Sequence, residues 1–340
     1  MTTSNRTPFT VFCTGASYYG SQSLVDLYPR VAEAAELRLI AAESEEELIA
    51  ALTEADAVVV RSGHFTRPVF AALPRLRGVA KWGVGVESID VPGATAEGVI
   101  IANSPGNSIA VAEASFLLLL AVSKNLLVLV DSIRRGDWQP RFSTRGHEIY
   151  GKILGIIGLG RIGHHLARLA QGAGMTVVAY DPYVDREKAA GLGVEMLSLP
   201  ELLKTADAVS IHAVLTPETY HLIGEEELAL MKPTAWLINT ARGPIVDQAA
   251  LINALRVGTI AGAGLDVFEH EPVAADNPLL SMPNVICTPH ALPRTWESTQ
   301  RTTTMLQDAI LAILEGRLPE TCLNPTVQPR HQQHIRGADR

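Results

Sequence analysis

The sequence predicts an α/β protein of two domains, each built on a doubly wound parallel sheet. Three observations carry that expectation. At 340 residues the chain is long enough for two domains of ordinary size, each with its own core. Short apolar runs alternate with helical patterns along nearly all of it, the rhythm of parallel strands covered by helices on both faces. Near the middle, a turn spaced by Gly158, Gly160 and Gly163 joins one apolar run to a helical repeat.

In chain order, the first hundred residues predict strands over 9–13, 37–41, 57–60, 78–81 and 99–102, with helices over 27–35, 45–55 and 66–73. From 83 to 105 the chain is rich in Gly and Pro, as a hinge or an active-site loop is. A long apolar helix is expected over 109–130, then an irregular stretch over 136–148. Strands follow at 153–157, 176–180, 208–212, 235–239, 260–266 and 285–288, with helices over 199–206, 225–231 and 248–257. A last helix, about 296–315, is expected to return to the first domain. The polar, aperiodic tail 328–340 is expected to be disordered.

The glycine turn has a physical reading. Its first glycine permits the tight turn, its second lets the backbone approach a pyrophosphate, and its third lets the helix sit on its strand. The phosphates then meet N–H groups at a helix N-terminus. A strand precedes the turn, a helix follows it, and the second strand ends on Asp181, so the context of a dinucleotide (Rossmann) site is complete. Asp181 can accept bonds from ribose hydroxyls and repels a 2′-phosphate, by about 1 kcal/mol in water and about 4 near a protein surface at 4 Å. NAD is therefore favoured over NADP.

Composition excludes several classes. With 47% hydrophobic and 19% charged residues the chain is a soluble globular protein. A formal charge of −8 and the lack of a Lys/Arg block argue against a nucleic-acid partner. Cys13, Cys287 and Cys322 are scattered, with no metal-ligand spacing, as reduced thiols of a cytoplasmic protein are. The N-terminus shows no secretory signal pattern. The apolar stretch 109–130 is interrupted by Glu113, Lys124 and Asn125, which points to a buried helix at a homodimer contact and not to a membrane span.

Ligands of open α/β sheets sit beyond the carboxyl ends of the strands. Three of the predicted strands end there in chemistry-bearing residues: Arg242 after one, Asp266 and Glu271 after the next, His290 after the last. Each alone reads as a surface or core residue. Their joint arrival beside the expected nicotinamide makes a cation, a carboxylate and an imidazole available to one small molecule.

These segments resemble the NAD-dependent D-2-hydroxyacid dehydrogenases, and within them the phosphoglycerate dehydrogenase-like branch. The motifs are GIIGLGRIG at 155–163, TPETYHLI at 216–223, NTARGPIVD at 239–247, GLDVFEHEP at 264–272 and TPH at 288–290. Upstream, VRS at 60–62, GVGVESIDV at 83–91 and NSPGNSIAVAE at 103–113 match as well. The resemblance implies that Arg242 binds substrate, Glu271 is the carboxylate partner, and His290 is the acid–base residue. It implies cofactor contacts from Gly158, Gly160, Arg161, Ile162, Gly163 and Asp181, and further ones from Ser108, His212, Thr216, Thr240, Ala241 and Asp266. Backbone N–H groups of Val84 and Gly85 would hold the substrate carboxylate, with Arg61 and Lys81 as cations for a phosphate or second carboxylate.

The resemblance also implies a flavodoxin-like catalytic domain from 1–103 plus 294–327, around a Rossmann domain at 104–293. No metal is implied. The expected reaction moves a hydride between nicotinamide and a small D-2-hydroxy acid or its keto form, possibly of phosphoglycerate type. Glyoxylate/hydroxypyruvate reductase is the alternative within the class, and an NAD-responsive corepressor-like binding protein the alternative outside it. The chain departs from the family pattern at Ser88, Val214 and the ALPRTW run at 291–296. That last run borders the expected substrate site.

Overall fold

The computed structural model describes residues 9–331. The expectations that the first residues hold no secretory signal, and that 332–340 is disordered, lie outside the described residues. Of the described residues, 9–107 together with 296–331 form one compact unit, and Ser108–Thr295 form the other.

The first unit runs β1 (Phe9–Cys13), α1 (Leu24–Leu27), α2 (Pro29–Ala32), β2 (Ala35–Leu39), α3 (Glu45–Ala51), β3 (Ala57–Val60), α4 (Arg67–Ala72), β4 (Gly78–Trp82), α5 (Val91–Ala96) and β5 (Ile100–Ser104). The second runs α6 (Ser108–Ser123), α7 (Leu126–Arg134), α8 (Pro140–Ser143), β6 (Ile153–Ile157), α9 (Arg161–Gly172), β7 (Thr176–Tyr180), α10 (Arg186–Ala190), β8 (Glu195–Met196) and α11 (Leu199–Thr205). It continues with β9 (Ala208–Ile211), α12 (Glu225–Leu230), β10 (Trp236–Asn239), α13 (Gln248–Val257), β11 (Gly262–Leu265) and β12 (Val285–Cys287). Finally α14 (Trp296–Leu314) returns to the first unit.

The first sheet has five parallel strands in the order β2-β1-β3-β4-β5, the flavodoxin-like order. Residues along β1 alternate between two cores. Val11 and Cys13 face α2 and α14, while Phe12 faces α3, α4 and α5. Both faces are covered, so these strands read as continuous apolar runs.

The second sheet has seven parallel strands, β12-β11-β10-β9-β6-β7-β8. The chain reverses its direction of travel between β6 and β9, which is the switch point where such sheets bind ligands. Leu154 and Ile156 of β6 pack under α6 and α9; Ile157 packs under α11, α12 and α13. Helix α6 sits close on β11 because that strand carries glycines. A Cβ at Gly264 would meet Leu118 at 2.9 Å, and one at Gly262 would meet Val122 at 3.1 Å.

Four expectations are corrected. The 109–130 helix is two helices, α6 and α7, bent by 67° at the break. Asn125 takes the left-handed conformation there, φ 52, which interrupts the ladder although the apolar pattern runs through. Among the described residues no single helix is long and apolar enough to cross a membrane.

The unit boundaries fall at 107/108 and 295/296, not at 103/104 and 293/294. Ser104 belongs to the first sheet, paired with Trp82, and Gly106 accepts a 2.9 Å bond from Arg301 Nε. Arg294 and Thr295 close turns on Ala291 and Pro293 of the second unit.

The Gly/Pro-rich stretch is not all loop, since it holds α5, which Asp90 caps by accepting from Gly93 N at 2.9 Å.

Residues 328–331 are ordered. Arg330 donates to the carbonyls of Phe70, Leu73 and Glu97 and to the Glu97 carboxylate. Ahead of it, Asn324 is buried against Ile101 N, Val99 O and Thr95, so the segment lies along β5 as a strap.

Candidate active site

The glycine turn sits at the switch point between β6 and α9. Gly158 has φ +93, and a Cβ on it would meet Ala213 N at 2.6 Å, so only glycine closes this turn. A Cβ on Gly163 would meet Gly158 O at 2.5 Å, which is why α9 can start so near the strand. Gly160, the residue before α9, has nothing within 4 Å of that position. Open space thus lies over the first turn of α9, where Arg161 and Ile162 present N–H groups without intrahelical acceptors. That is the cradle a pyrophosphate requires.

Asp181, at the end of β7, ties this turn together. Its Oδ2 accepts from Leu159 N and its Oδ1 from Tyr183 N, both at 2.9 Å. Each oxygen keeps lone pairs for a ribose hydroxyl, so the same side chain braces the turn and can read the sugar. His212, after β9, packs its backbone against Gly158. Burial pushes its pKa down to about 3, so the ring is neutral, with Nε2 2.9 Å from Ser210 Oγ. Its Nδ1 is buried with no partner among the described residues.

Over the carboxyl ends of β10, β11 and β12 stand the residues with acid–base capacity. Asn239 ends β10 and shapes the turn after it, accepting from Ala241 N at 3.0 Å and donating to Arg242 O at 2.9 Å. Arg242 Nη1 donates to Ala241 O at 2.7 Å. The buried Asp266, just after β11, accepts from Thr288 Oγ1 at 2.6 Å and Ala291 N at 3.1 Å. It thereby holds both flanks of His290. Its other oxygen, Oδ2, is buried and unpartnered among the described residues. An orphaned acceptor of this kind is costly unless a ligand brings a donor, and a nicotinamide carboxamide has one.

His290 Nδ1 donates to Glu271 Oε2 at 2.8 Å, and Glu271 Oε1 accepts from Phe268 N at 3.0 Å. The Glu271 bond raises the His290 pKa above its ordinary value, against burial and the Arg242 charge, with Asp266 adding to the rise. Burial alone would raise Glu271. The His290 bond, the Phe268 N–H and the charges of His290 and Arg242 outweigh it and hold the carboxyl below the usual range. Arg242 is thus near enough for its charge to act on both members of the pair.

The remaining predicted residues are placed less uniformly. Thr216 lies exposed in the loop after β9, its N–H bonded to Thr219 Oγ1 at 2.7 Å. Thr240 is buried, and its hydroxyl is 2.7 Å from Ser115 Oγ of α6, so it serves the packing of that helix. Ser108 is buried at the first residue of α6.

Arg61, Lys81, Val84 and Gly85 belong to the first unit, at the carboxyl ends of β3 and β4. Arg61 is not a plain surface cation, because its guanidinium lies 4.0 Å from the Trp82 ring and 5.0 Å from Tyr19. Lys81 Nζ donates to Arg61 O at 3.3 Å, and Asn103 Nδ2 donates to Val84 O at 2.9 Å. Among the described residues no group of His, Cys, Asp and Glu is arranged to hold a metal. Sequence reasoning missed Asn239 and Asn103, both inside quoted motifs, whose amides shape the loops that carry the predicted residues.

Fold and site together define a protein with a dinucleotide-binding domain. Residues 116–291 match the family described as D-isomer specific 2-hydroxyacid dehydrogenase, NAD binding domain. The chain belongs to that family. It is 43% identical over 295 residues to a D-3-phosphoglycerate dehydrogenase of Methanocaldococcus jannaschii, covering 86% of this chain and 56% of that protein. It is 41% identical over 289 residues to a glyoxylate reductase of Korarchaeum cryptofilum, covering 84% and 87%. The chain thus spans a little over half the length of the phosphoglycerate dehydrogenase it matches. Among solved structures, a D-lactate dehydrogenase from Aquifex aeolicus with NAD and lactic acid superposes with TM-score 0.79 at 31% identity, covering 90% of this chain and 96% of that one.

Proposed function

We propose that this chain is an NAD-dependent oxidoreductase that interconverts a small D-2-hydroxy acid and its 2-keto acid. The observation that carries the reading is the His290–Glu271 pair at 2.8 Å, with Arg242 close by, over the carboxyl ends of β10–β12 in an NAD-binding domain. The nicotinamide, when bound, supplies or accepts the hydrogen and two electrons at the substrate carbon. The turn from Gly158 to Gly163 and the Asp181 carboxylate would hold the dinucleotide, and the buried, unpartnered Asp266 Oδ2 would accept from a donor on its nicotinamide end.

Arg242 makes charge-assisted bonds to the substrate carboxylate and polarises the keto oxygen. Glu271 fixes the Nδ1–H tautomer, which leaves Nε2 to carry the transferred proton. During reduction His290 protonates the oxygen that becomes the hydroxyl. During oxidation the neutral ring takes that proton back. Arg242 and the raised imidazole both favour an anionic substrate.

A steady-state assay with NADH and a panel of 2-keto acids tests this, with glyoxylate, hydroxypyruvate, pyruvate and a phosphorylated hydroxypyruvate as members. Oxidation of NADH by at least one member is expected. Intact NADH binding with no turnover of any member would favour the corepressor-like reading.

The proposal includes a homodimer through α6 to α8. Leu117, Leu126, Leu127, Ile133, Trp138 and Phe142 are all exposed there, more apolar surface than a monomer usually leaves in one region. Sedimentation of the wild type and of Leu127→Asp should show a dimer and its weakening; a monomeric wild type removes this part. Three free thiols support the cytoplasmic setting that the proposal also assumes.

A further inference from the structure

One histidine touches three loops that leave neighbouring strands. His221 belongs to the loop after β9, and its Nε2 donates to Glu269 Oε1 at 2.9 Å in the loop after β11. Its Nδ1 lies 3.9 Å from Asp247 Oδ2, the residue that caps α13, and its backbone N–H donates to Pro244 O at 2.9 Å in the turn after β10. Glu269 uses its second oxygen to accept from Gln248 N at 3.1 Å. Gly243 packs directly on the Phe268 backbone, where any side chain would collide. The Tyr220 ring stacks on the imidazole at 4.0 Å and 16°.

His221 holds all this from a left-handed backbone, φ 51. Non-glycine residues are uncommon in that region, although histidine is among those that enter it, and the contacts above hold this one in place. The three loops joined this way carry Thr216, Arg242 and Glu271. Glu269 also lies inside the short turn in which Phe268 N grips Glu271, which in turn holds His290.

We propose that His221 and Glu269 are positioning residues whose contact locks these three loops in register and so keeps Glu271 on the His290 imidazole. The consequence for turnover rests on the oxidoreductase reading; the consequence for the geometry of His290 does not. Neither residue touches the reacting atoms.

The test reads His290 directly. Imidazole NMR titration, with His290 assigned by its loss in His290→Asn, is run on the wild type, His221→Asn, Glu269→Gln and the double variant. His221→Asn tolerates the left-handed backbone but is too short to reach Glu269, so loss of the contact is separated from backbone collapse. Around His290 stand Glu271, Arg242 and Asp266, and none of them is altered.

In the wild type the ring should titrate above free imidazole, and in each variant its midpoint should fall back toward it. The double variant should go no further than either single one. The kcat for 2-keto acid reduction should drop about 10²-fold with the same pairwise non-additivity, as a small misplacement of a catalytic group does. An unmoved His290 midpoint in folded variants overturns the proposal, as does a shift that is additive in the double variant. A wild type that shows the expected titration pattern yet reduces no 2-keto acid overturns the catalytic reading alone.

Discussion

His290 reaches Glu271 across 2.8 Å from a backbone held in the left-handed region, φ 52. Asp266 accepts from Ala291 N on one side of it and from Thr288 Oγ1 on the other. The imidazole is therefore aimed by two carboxylates, one bonded to the ring and one to the residues around it.

The pH dependence of turnover follows from that pairing. The Glu271 bond raises the His290 pKa despite burial and Arg242. Reduction needs the protonated ring, so its kcat/KM should fall as pH rises through a midpoint above about 6.5. Oxidation needs the neutral ring and should fall as pH drops through the same midpoint. pH–rate profiles in both directions check this, and a reduction midpoint below that of free imidazole would remove the pair from proton transfer. Stability is linked in the same sense: the His290 contribution is full below its unfolded pKa and fades as pH rises through the raised one. That of Glu271 is full above its unfolded pKa and fades as pH falls through the lowered one.

Removing the imidazole while keeping the backbone isolates the chemistry. His290→Asn retains a residue type that tolerates positive φ. It should lose about 10²–10⁴ in kcat, typical of a missing general acid, with NADH affinity changed less than about threefold by fluorescence titration. Near-wild-type turnover sinks the role assigned to His290.

Two glycines of one turn should respond differently to the same methyl group. Gly160→Ala meets no protein atom, so its Tm should stay within a few degrees while NADH affinity falls at least about tenfold. Gly163→Ala drives a Cβ onto Gly158 O and should cost roughly 1–3 kcal/mol in thermal or urea unfolding. Equal effects on binding and stability in both variants would contradict the distinction.

Arg330 should matter for stability and not for turnover. Its guanidinium satisfies carbonyls of Phe70, Leu73 and Glu97, and only 18% of its side chain is exposed. Arg330→Ala should destabilise the protein by about 3 kcal/mol, the scale of a few charge-assisted bonds lost at once. Urea titration against kcat measured on the same preparation checks both halves.

Much of this was legible in the sequence because parallel strands buried on both faces leave unbroken apolar runs, as at Ile153–Ile157 and Thr176–Tyr180. β8 left no such mark, being two residues long with Glu195 exposed. The bend between α6 and α7 was invisible because hydrophobicity continues across it and one dihedral at Asn125 decides it. Residues 328–331 read as a polar tail because their partners, Phe70, Leu73 and Glu97, lie more than two hundred positions away. At the site, Arg242, Glu271 and His290 stood out through their spacing after strands. His221 did not, since nothing in its neighbours announces a left-handed backbone.

The first unit closes only when α14 and the strap over β5 arrive. During synthesis, its strands leave the ribosome well before the elements that cover them, with the whole second unit made in between. Until then the face of β3, β4 and β5 that α14 covers stays bare, along with the β5 edge. The inserted unit, continuous in the chain, has no such wait. Nascent copies therefore pass through an interval in which the inserted unit is finished first, and in which a chaperone has most to protect in the strands that precede α6.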